Sequence, residues 1–382
     1  MKRVAILTRR AGYNMGSTLQ AYAMYKMFNK LGYDVEILNY DEYARFLSWR
    51  IKPFVFNIFN KIPFISHTKI VNKYFPLKHF FAQKQKFEEF ESKYFPLSKK
   101  KYRNSSDLKK TIGKYDVYVC GSDQIWSPMM YDPVFYLDFV PKKPNILTIA
   151  YAPSLGVTDI NAISVNAQRL IKNIQFISCR EAEGAKILSK IVGYEIPVVL
   201  DPTLMINKDD WESIKAEQNL THNNYILTYF LHTRFYQNNI PNKFINKLKK
   251  QTGLKVINIQ MHNMEQIVNA DEHIFNAGPA DFLTLINNAS FIVTNSYHCC
   301  IFSHIFSKHF FVFEKFRKDN DKDDQNPRLH TLLKIINKQE ALIKNENCEI
   351  DLSQLFSTQN NSIDYYLTLK KQSMAYITQA LQ

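Results

Sequence analysis

The chain has 382 residues, 46% of them hydrophobic, and a formal net charge of +14. That is enough apolar material for two ordinary domains and too much for a disordered chain. Five cysteines, at 120, 179, 299, 300 and 348, are odd in number and show no CxxC spacing, which argues against a disulfide framework and for reduced thiols.

The charge is concentrated: residues 1–114 carry 23 Lys plus Arg against 8 Asp plus Glu. Such a surface suits an anionic partner, whether phospholipid headgroups, a sugar nucleotide, a lipid diphosphate or an acidic polymer. No zinc-finger, KH or RRM signature accompanies it, so nucleic acid is not expected as a partner. No run of about 18 apolar residues occurs, and Lys2, Arg3, Arg9 and Arg10 leave no apolar core for a signal peptide. The expected location is cytoplasmic, with association at the inner face of the membrane as an option.

Val4–Thr8 reads as a strand, Arg9–Gly16 as a loop, and the following stretch to Leu31 as a helix capped by Ser17 or Thr18. With the strand Val35–Tyr40 this is a βαβ unit, whose first loop lies at the ligand edge of the sheet. Asn14, Gly16 and Gln20 sit where that loop meets the helix start. The loop lacks both GxGxxG and GK[ST], so no nucleotide motif is present. Residues 43–114 interrupt the alternation and read as a basic, helical insertion. Its aromatic and basic segment Trp49–Ile65 fits either a face resting on a membrane surface or a subdomain packed on the core.

Tyr115–Cys120 is a strand that runs into Gly121, Ser122 and Asp123, small and polar residues at a sheet edge. Trp126 follows, as a pocket wall or as a space filler. Ile146–Ala150 leads into a second polar edge loop containing Ser154. Phe176–Cys179 ends on Arg180 and Glu181, and Pro197–Leu200 is a sixth strand ending on Asp201. This is a doubly wound, Rossmann-like domain, expected to span residues 1–205. Five further strand-like runs, from Tyr225 to Phe313, announce a second such domain over residues 206–382. Its last helix, Tyr365–Leu381, can pack back onto the first domain.

Within the second domain, Phe291–Thr294 is a buried strand, and Asn295 and Ser296 are cap residues where it ends. A helix from Tyr297 puts His298 in its first turn, at the carboxyl end of a parallel strand. An imidazole, neighbouring hydroxyls and a helix N-terminus together suit an anion. A His there also serves capping or packing equally well. Cys299 and Cys300 read as small buried residues. Glu314–Arg328 is a charged loop. Within it Asp319, Asp321 and Asp323 alternate as in a calcium loop, but Asp324 and His330 stand where Gly and Glu are required. No metal site and no cofactor are expected.

Five stretches taken together resemble the polysaccharide pyruvyl transferase family: NMGSTLQAYA, VCGSDQIW, YAPSLG, SCREAEGAKIL with VVLDPTL, and GPADFLTLINNASFIVTNSYH. They occur in the family's order across residues 4–313. The resemblance implies two Rossmann-like domains facing a cleft, as in GT-B glycosyltransferases. It implies transfer of a pyruvyl group from phosphoenolpyruvate to a hydroxyl pair of a cell-surface polysaccharide or its lipid-linked precursor.

In that reading His298 is the acid or a phosphate ligand, and Asp123 orients or deprotonates an acceptor hydroxyl. Arg180 and Ser296 hold the donor's anionic groups, while Asn14, Gly16, Gln20, Ser122 and Ser154 line the site. One departure stands out. Characterised branches often carry Arg two positions before this His, where this chain has Ser296; Arg328 or Arg317 could compensate. A sugar-nucleotide glycosyltransferase and a non-catalytic carbohydrate-binding relative are the alternatives.

Overall fold

Apolar runs such as Val4–Leu7 and Val117–Cys120 are buried along their whole length, as strands covered by helices on both faces must be. The computed structural model describes residues 1–10, 12–42, 44, 77–216, 223–231, 240–260, 268–314, 326–343 and 363–382. Trp49–Ile65, the acidic run Asp319–Asp324, Arg317 and Cys348 lie outside these residues.

The first sheet contains β1 (Arg3–Leu7), β2 (Asp34–Tyr40), β3 (Leu97–Tyr102), β4 (Val117–Gly121), β5 (Leu147–Tyr151) and β6 (Phe176–Ile177). Its order is β3-β2-β1-β4-β5-β6, all parallel. The second sheet contains β7 (Ile226–Tyr229), β8 (Val256–Ile259), β9 (Glu272–Ile274), β10 (Phe291–Thr294), β11 (His309–Phe313) and β12 (Leu342–Ile343). Its order, β12-β11-β10-β7-β8-β9, is the same doubly wound pattern. The chain is thus α/β with two Rossmann-like sheets, the GT-B-like class expected. In each sheet the order reverses beside the first strand, which places the crevice at the carboxyl ends of β1 and β4, and of β7 and β10.

Eight helices frame the site: α1 (Met15–Lys30), α2 (Leu77–Tyr94), α3 (Ala182–Val192), α4 (Pro202–Met205), α5 (Pro279–Asn288), α6 (Tyr297–Ile305), α7 (Asn326–Ile335) and α8 (Ile363–Leu381). The largest apolar cluster is continuous across both sheets, joining Met24 and Phe28 to Trp211, Phe282, Phe302 and Leu381. Helix α2 bridges the halves. Tyr22 of α1 contacts the rings of Phe90 and Tyr94, while Gln83 donates to the Ala277 carbonyl and Lys86 pairs with Asp281 at 2.7 Å. Helix α8 packs on the first sheet: the Leu200 amide donates to Ser373 Oγ, and Lys2 Nζ to the Leu381 carbonyl.

Four local expectations are corrected. The region 43–114 is not wholly helical, because Leu97–Tyr102 forms the outer strand β3. Three exposed lysines on that edge hide the alternation that marks a strand, and they also discourage edge-to-edge pairing. Pro197–Leu200 makes only an isolated bridge, Cys179 with Val198, because the chain turns at once into the Asp201 cap of α4. Asn14, not Ser17 or Thr18, caps α1, its side chain accepting from the Ser17 amide at 3.1 Å. Arg328 lies on α7 rather than in a charged loop. No helix among the described residues is long and apolar enough to cross a membrane.

Candidate active site

The two switch points face one another. From the first sheet comes the start of α1, where Asn14 satisfies an amide and no acidic residue opposes the positive end of the helix dipole. From the second comes the start of α6, capped by Ser296, again without an acidic residue in the first turn. Asn295 ties the carboxyl ends of β7 and β10 together: it accepts from the Leu231 amide at 2.7 Å and donates to its carbonyl at 2.6 Å. The helices meet at Gly16 and His298. A Cβ on Gly16 would lie 2.2 Å from His298 Nδ1, so only glycine lets the imidazole sit against α1. Two helix N-termini, one from each domain, therefore converge on one buried histidine.

His298 is 6% exposed. Its Nε2 is 3.5 Å from Asp201 Oδ2, too long for a normal hydrogen bond, and finds no hydrogen-bond partner among the described residues. Asp201 is held from several sides. Its Oδ1 accepts from the Thr203 amide and hydroxyl, and its Oδ2 accepts from Arg180 Nη1 at 2.9 Å and Ser122 Oγ at 3.3 Å. Burial alone would raise the Asp201 carboxyl, but the charges of His298 and Arg180 hold it well below the usual carboxylate range.

Asp123 occupies the left-handed region, φ 63°, a conformation that Asp tolerates better than most residues and that recurs at functional loops. Gly121, at φ 131°, begins that turn so close to the Tyr151 carbonyl that no side chain would fit. Asp123 accepts from Ser17 Oγ at 2.5 Å and from Arg180 Nη2 at 3.3 Å, and the Ser154 amide donates to its carbonyl at 2.8 Å. Burial pushes its carboxyl up, yet Arg180 and His298 outweigh this and hold it well below the usual range. Gln20 braces the loop: its Oε1 accepts from the Ser122 amide, and its Nε2 donates to Thr8 Oγ1 and the Arg9 carbonyl.

Arg180 is fully buried. It pairs with Asp201 and Asp123, has Glu181 beside its Nε at 3.8 Å, and stacks 4.5 Å from the centre of the Tyr297 ring. Arg328, also buried, stands 5.9 Å from the same ring. Burial and the neighbouring Arg180 push the Arg328 guanidinium down to about 10, which leaves it charged at neutral pH. A guanidinium thus reaches the cluster from α7, although the position two before His298 holds Ser296.

The structure brings together all ten residues singled out from the sequence: Asn14, Gly16, Gln20, Ser122, Asp123, Ser154, Arg180, Ser296, His298 and Arg328. Ser17, Asp201 and Tyr297 belong to the cluster as well; each lies within one of the five quoted stretches, but none was given a role from the sequence. The available signal for Asp201 is its Asp-Pro step, a cap followed by a proline at the first helical position. Trp126 is a space filler, fully buried against Tyr136 with its indole N–H donating to the Phe135 carbonyl. Among the described residues no group of His, Cys, Asp and Glu is arranged to hold a metal. The described cavity of about 410 Å³ lined by Lys142, Lys143 and Lys172 lies at the amino end of β5, opposite the cluster.

Arg180→Met leaves two carboxylates buried without their cation. It is expected to destabilise the fold by about 3–5 kcal/mol, measured by urea unfolding. Arg180→Lys, which cannot bridge both carboxylates with one planar fork, should recover only part of the loss.

The family model for polysaccharide pyruvyl transferase matches residues 14–314. Among curated proteins, no sequence matches the chain. The solved structures to which the chain is similar include a UDP-GlcNAc 2-epimerase from Methanocaldococcus jannaschii, 13% identical, TM-score 0.47, covering 98% of this chain and 99% of that one. Another is a UDP-GlcNAc 2-epimerase from Neisseria meningitidis bound to UDP-GlcNAc, 10% identical, TM-score 0.47, covering 99% and 100%. A third is a heptosyltransferase from E. coli with ADP-2-deoxy-2-fluoro heptose, 12% identical, TM-score 0.39, covering 84% and 91%.

Proposed function

Because the chain belongs to the polysaccharide pyruvyl transferase family, we propose that it transfers the pyruvyl group of phosphoenolpyruvate to two hydroxyls of a saccharide, forming a ketal. Membership supports an enzyme of polysaccharide modification. The observation that carries the finer reading is His298, a buried imidazole at the meeting point of two helix N-termini, whose Nε2 stands 3.5 Å from Asp201 and lacks a hydrogen-bond partner among the described residues. Phosphoenolpyruvate is a small anion with a phosphate and a carboxylate. Two positive helix ends and the guanidinium of Arg328 are the groups that would receive it.

The chemistry balances in four movements. His298, protonated, gives its proton to the donor's methylene carbon, and the adjacent carbon becomes an oxocarbenium-like centre. One sugar hydroxyl adds there. The carbon–oxygen bond to phosphate breaks and phosphate leaves. A second hydroxyl closes the ketal. Of the two hydroxyl protons released, one restores His298 and the other departs on phosphate. Asp123 and Asp201 stay ionised. With so low a proton affinity Asp123 is a weak base, so its contribution is to orient a hydroxyl and stabilise positive charge as it develops.

Arg180, engaged by carboxylates, sets the electrostatic frame, and Arg328, beside the same Tyr297 ring, is the guanidinium assigned to the donor. Ser296 holds the start of α6, and Asn14 that of α1, while Gln20, Ser122 and Ser154 shape the loop that carries Asp123. The acceptor is free or lipid-linked saccharide. The basic first third of the chain suits an anionic carrier or membrane surface.

Thermal unfolding tests the donor assignment. Phosphoenolpyruvate is expected to raise the melting temperature, while UDP- and GDP-sugars are expected to leave it unchanged. A shift with a sugar nucleotide alone would assign the cleft to a glycosyl donor instead.

A further inference from the structure

At the carboxyl ends of β1 and β2, beside the Asp123 loop, lies a buried ion pair that the chemistry above does not use. Arg9 Nε donates to Glu42 Oε2 at 2.9 Å, and Arg9 Nη1 donates to the Gln124 carbonyl at 3.2 Å. The guanidinium rests 5.4 Å from the centre of the Phe135 ring. Arg9 is 8% exposed and Glu42 4%. Two polar atoms of the pair are left over: among the described residues neither Arg9 Nη2 nor Glu42 Oε1 has a hydrogen-bond partner. Gln124 Nε2 is a third such atom. Buried polar atoms without hydrogen-bond partners are costly, more so when charged, so three on neighbouring side chains point to a ligand-binding role.

The chemistry of that ligand follows from the two atoms' hydrogen-bonding roles. Arg9 Nη2 can only donate and Glu42 Oε1, ionised, can only accept. An anion would meet Glu42, and a cation would meet Arg9. A neutral hydroxyl does both jobs at once. The pair is also wired to the active site. Gln20 Nε2 donates to the Arg9 carbonyl while Gln20 Oε1 accepts from the Ser122 amide, and Gln124 follows Asp123 directly. Burial pushes the Glu42 carboxyl up against the lowering pull of Arg9, and the charge of Asp123 is felt there too.

We propose that Arg9 and Glu42 form a saccharide subsite, in which one acceptor hydroxyl donates to Glu42 Oε1 and accepts from Arg9 Nη2. The identity of the ligand as acceptor rests on the pyruvyl-transfer reading. The test uses p-nitrophenyl hexopyranosides of gluco, galacto and manno configuration, with binding followed by saturation-transfer NMR and turnover by initial rates with phosphoenolpyruvate.

Glu42→Gln keeps the shape of the side chain but lets its amide nitrogen replace an acceptor. It is expected to weaken glycoside binding and raise the acceptor KM about tenfold or more. The KM for phosphoenolpyruvate and its thermal shift should stay at the wild-type level. Arg9→Lys, which keeps a cation opposite Glu42 but lacks Nη2, is expected to do the same.

Wild-type acceptor binding in both variants would overturn the subsite and leave a structural water as the occupant. So would failure of every glycoside to bind the wild-type protein. A glycoside that binds in a Glu42-dependent way, without any phosphoenolpyruvate shift, would keep the subsite and remove the donor reading.

Discussion

Gly16→Ala is expected to leave the protein folded and to remove about 10²-fold or more of its activity. The added methyl would stand 2.2 Å from His298 Nδ1, 2.6 Å from Cγ and 2.8 Å from Cβ. No rotation of the ring tip relieves three such approaches, so the whole side chain must swing away from α1. The three nearest atoms to that methyl all belong to His298, and alanine is about 1 kcal/mol better than glycine inside a helix, which offsets part of the steric cost. A displacement of about 1 Å at a reacting group is enough for a hundredfold loss. Parallel measurement of kcat and of the melting temperature separates the two effects. A variant with wild-type kcat would show that the imidazole need not touch α1.

His298→Gln is expected to lower kcat by about 10³-fold, within the range typical of a missing general acid. Gln retains a polar group beside Asp201 and preserves the surrounding Arg180 network, so the fold and the phosphoenolpyruvate thermal shift should survive. A loss of binding without any loss of kcat at saturation would recast His298 as an anion ligand. Equal kcat and KM in the variant would remove it from the reaction.

Much of this site was legible because its local rules agree. Phe291–Thr294 is a short β-branched run followed by two cap residues, and the structure gives strand, Ser296 cap and helix start at that place. Gly121-Ser122-Asp123 was legible for the same reason, as small and polar residues ending an apolar strand. What the sequence hides is where partners come from.

Asp201 and Arg180 are separated by 21 residues and meet only because the Cys179–Val198 bridge brings their segments side by side. Arg328 arrives from α7, and the sequence offered it, with Arg317, only as a stand-in for the Arg absent at Ser296, without showing which one reaches the cluster. β3 was invisible because an edge strand needs only Ser98 and Tyr102 inward and presents lysines outward. The two-residue β12 is too short to carry any period. The largest apolar cluster, continuous across both sheets, is likewise a tertiary property, since either half alone shows only an ordinary alternation of strands and helices.

In the proposed reaction His298 protonates an enol carbon before sugar oxygens close on it. Mass spectrometry of acceptor glycan incubated with phosphoenolpyruvate in D2O tests this most directly. The glycan is expected to gain the mass of pyruvic acid less one water. One deuterium should reside in the new methyl group, with one phosphate released per ketal, and none of this should occur with His298→Gln. Phosphate release without a mass gain, or a ketal formed at full rate by that variant, would contradict it.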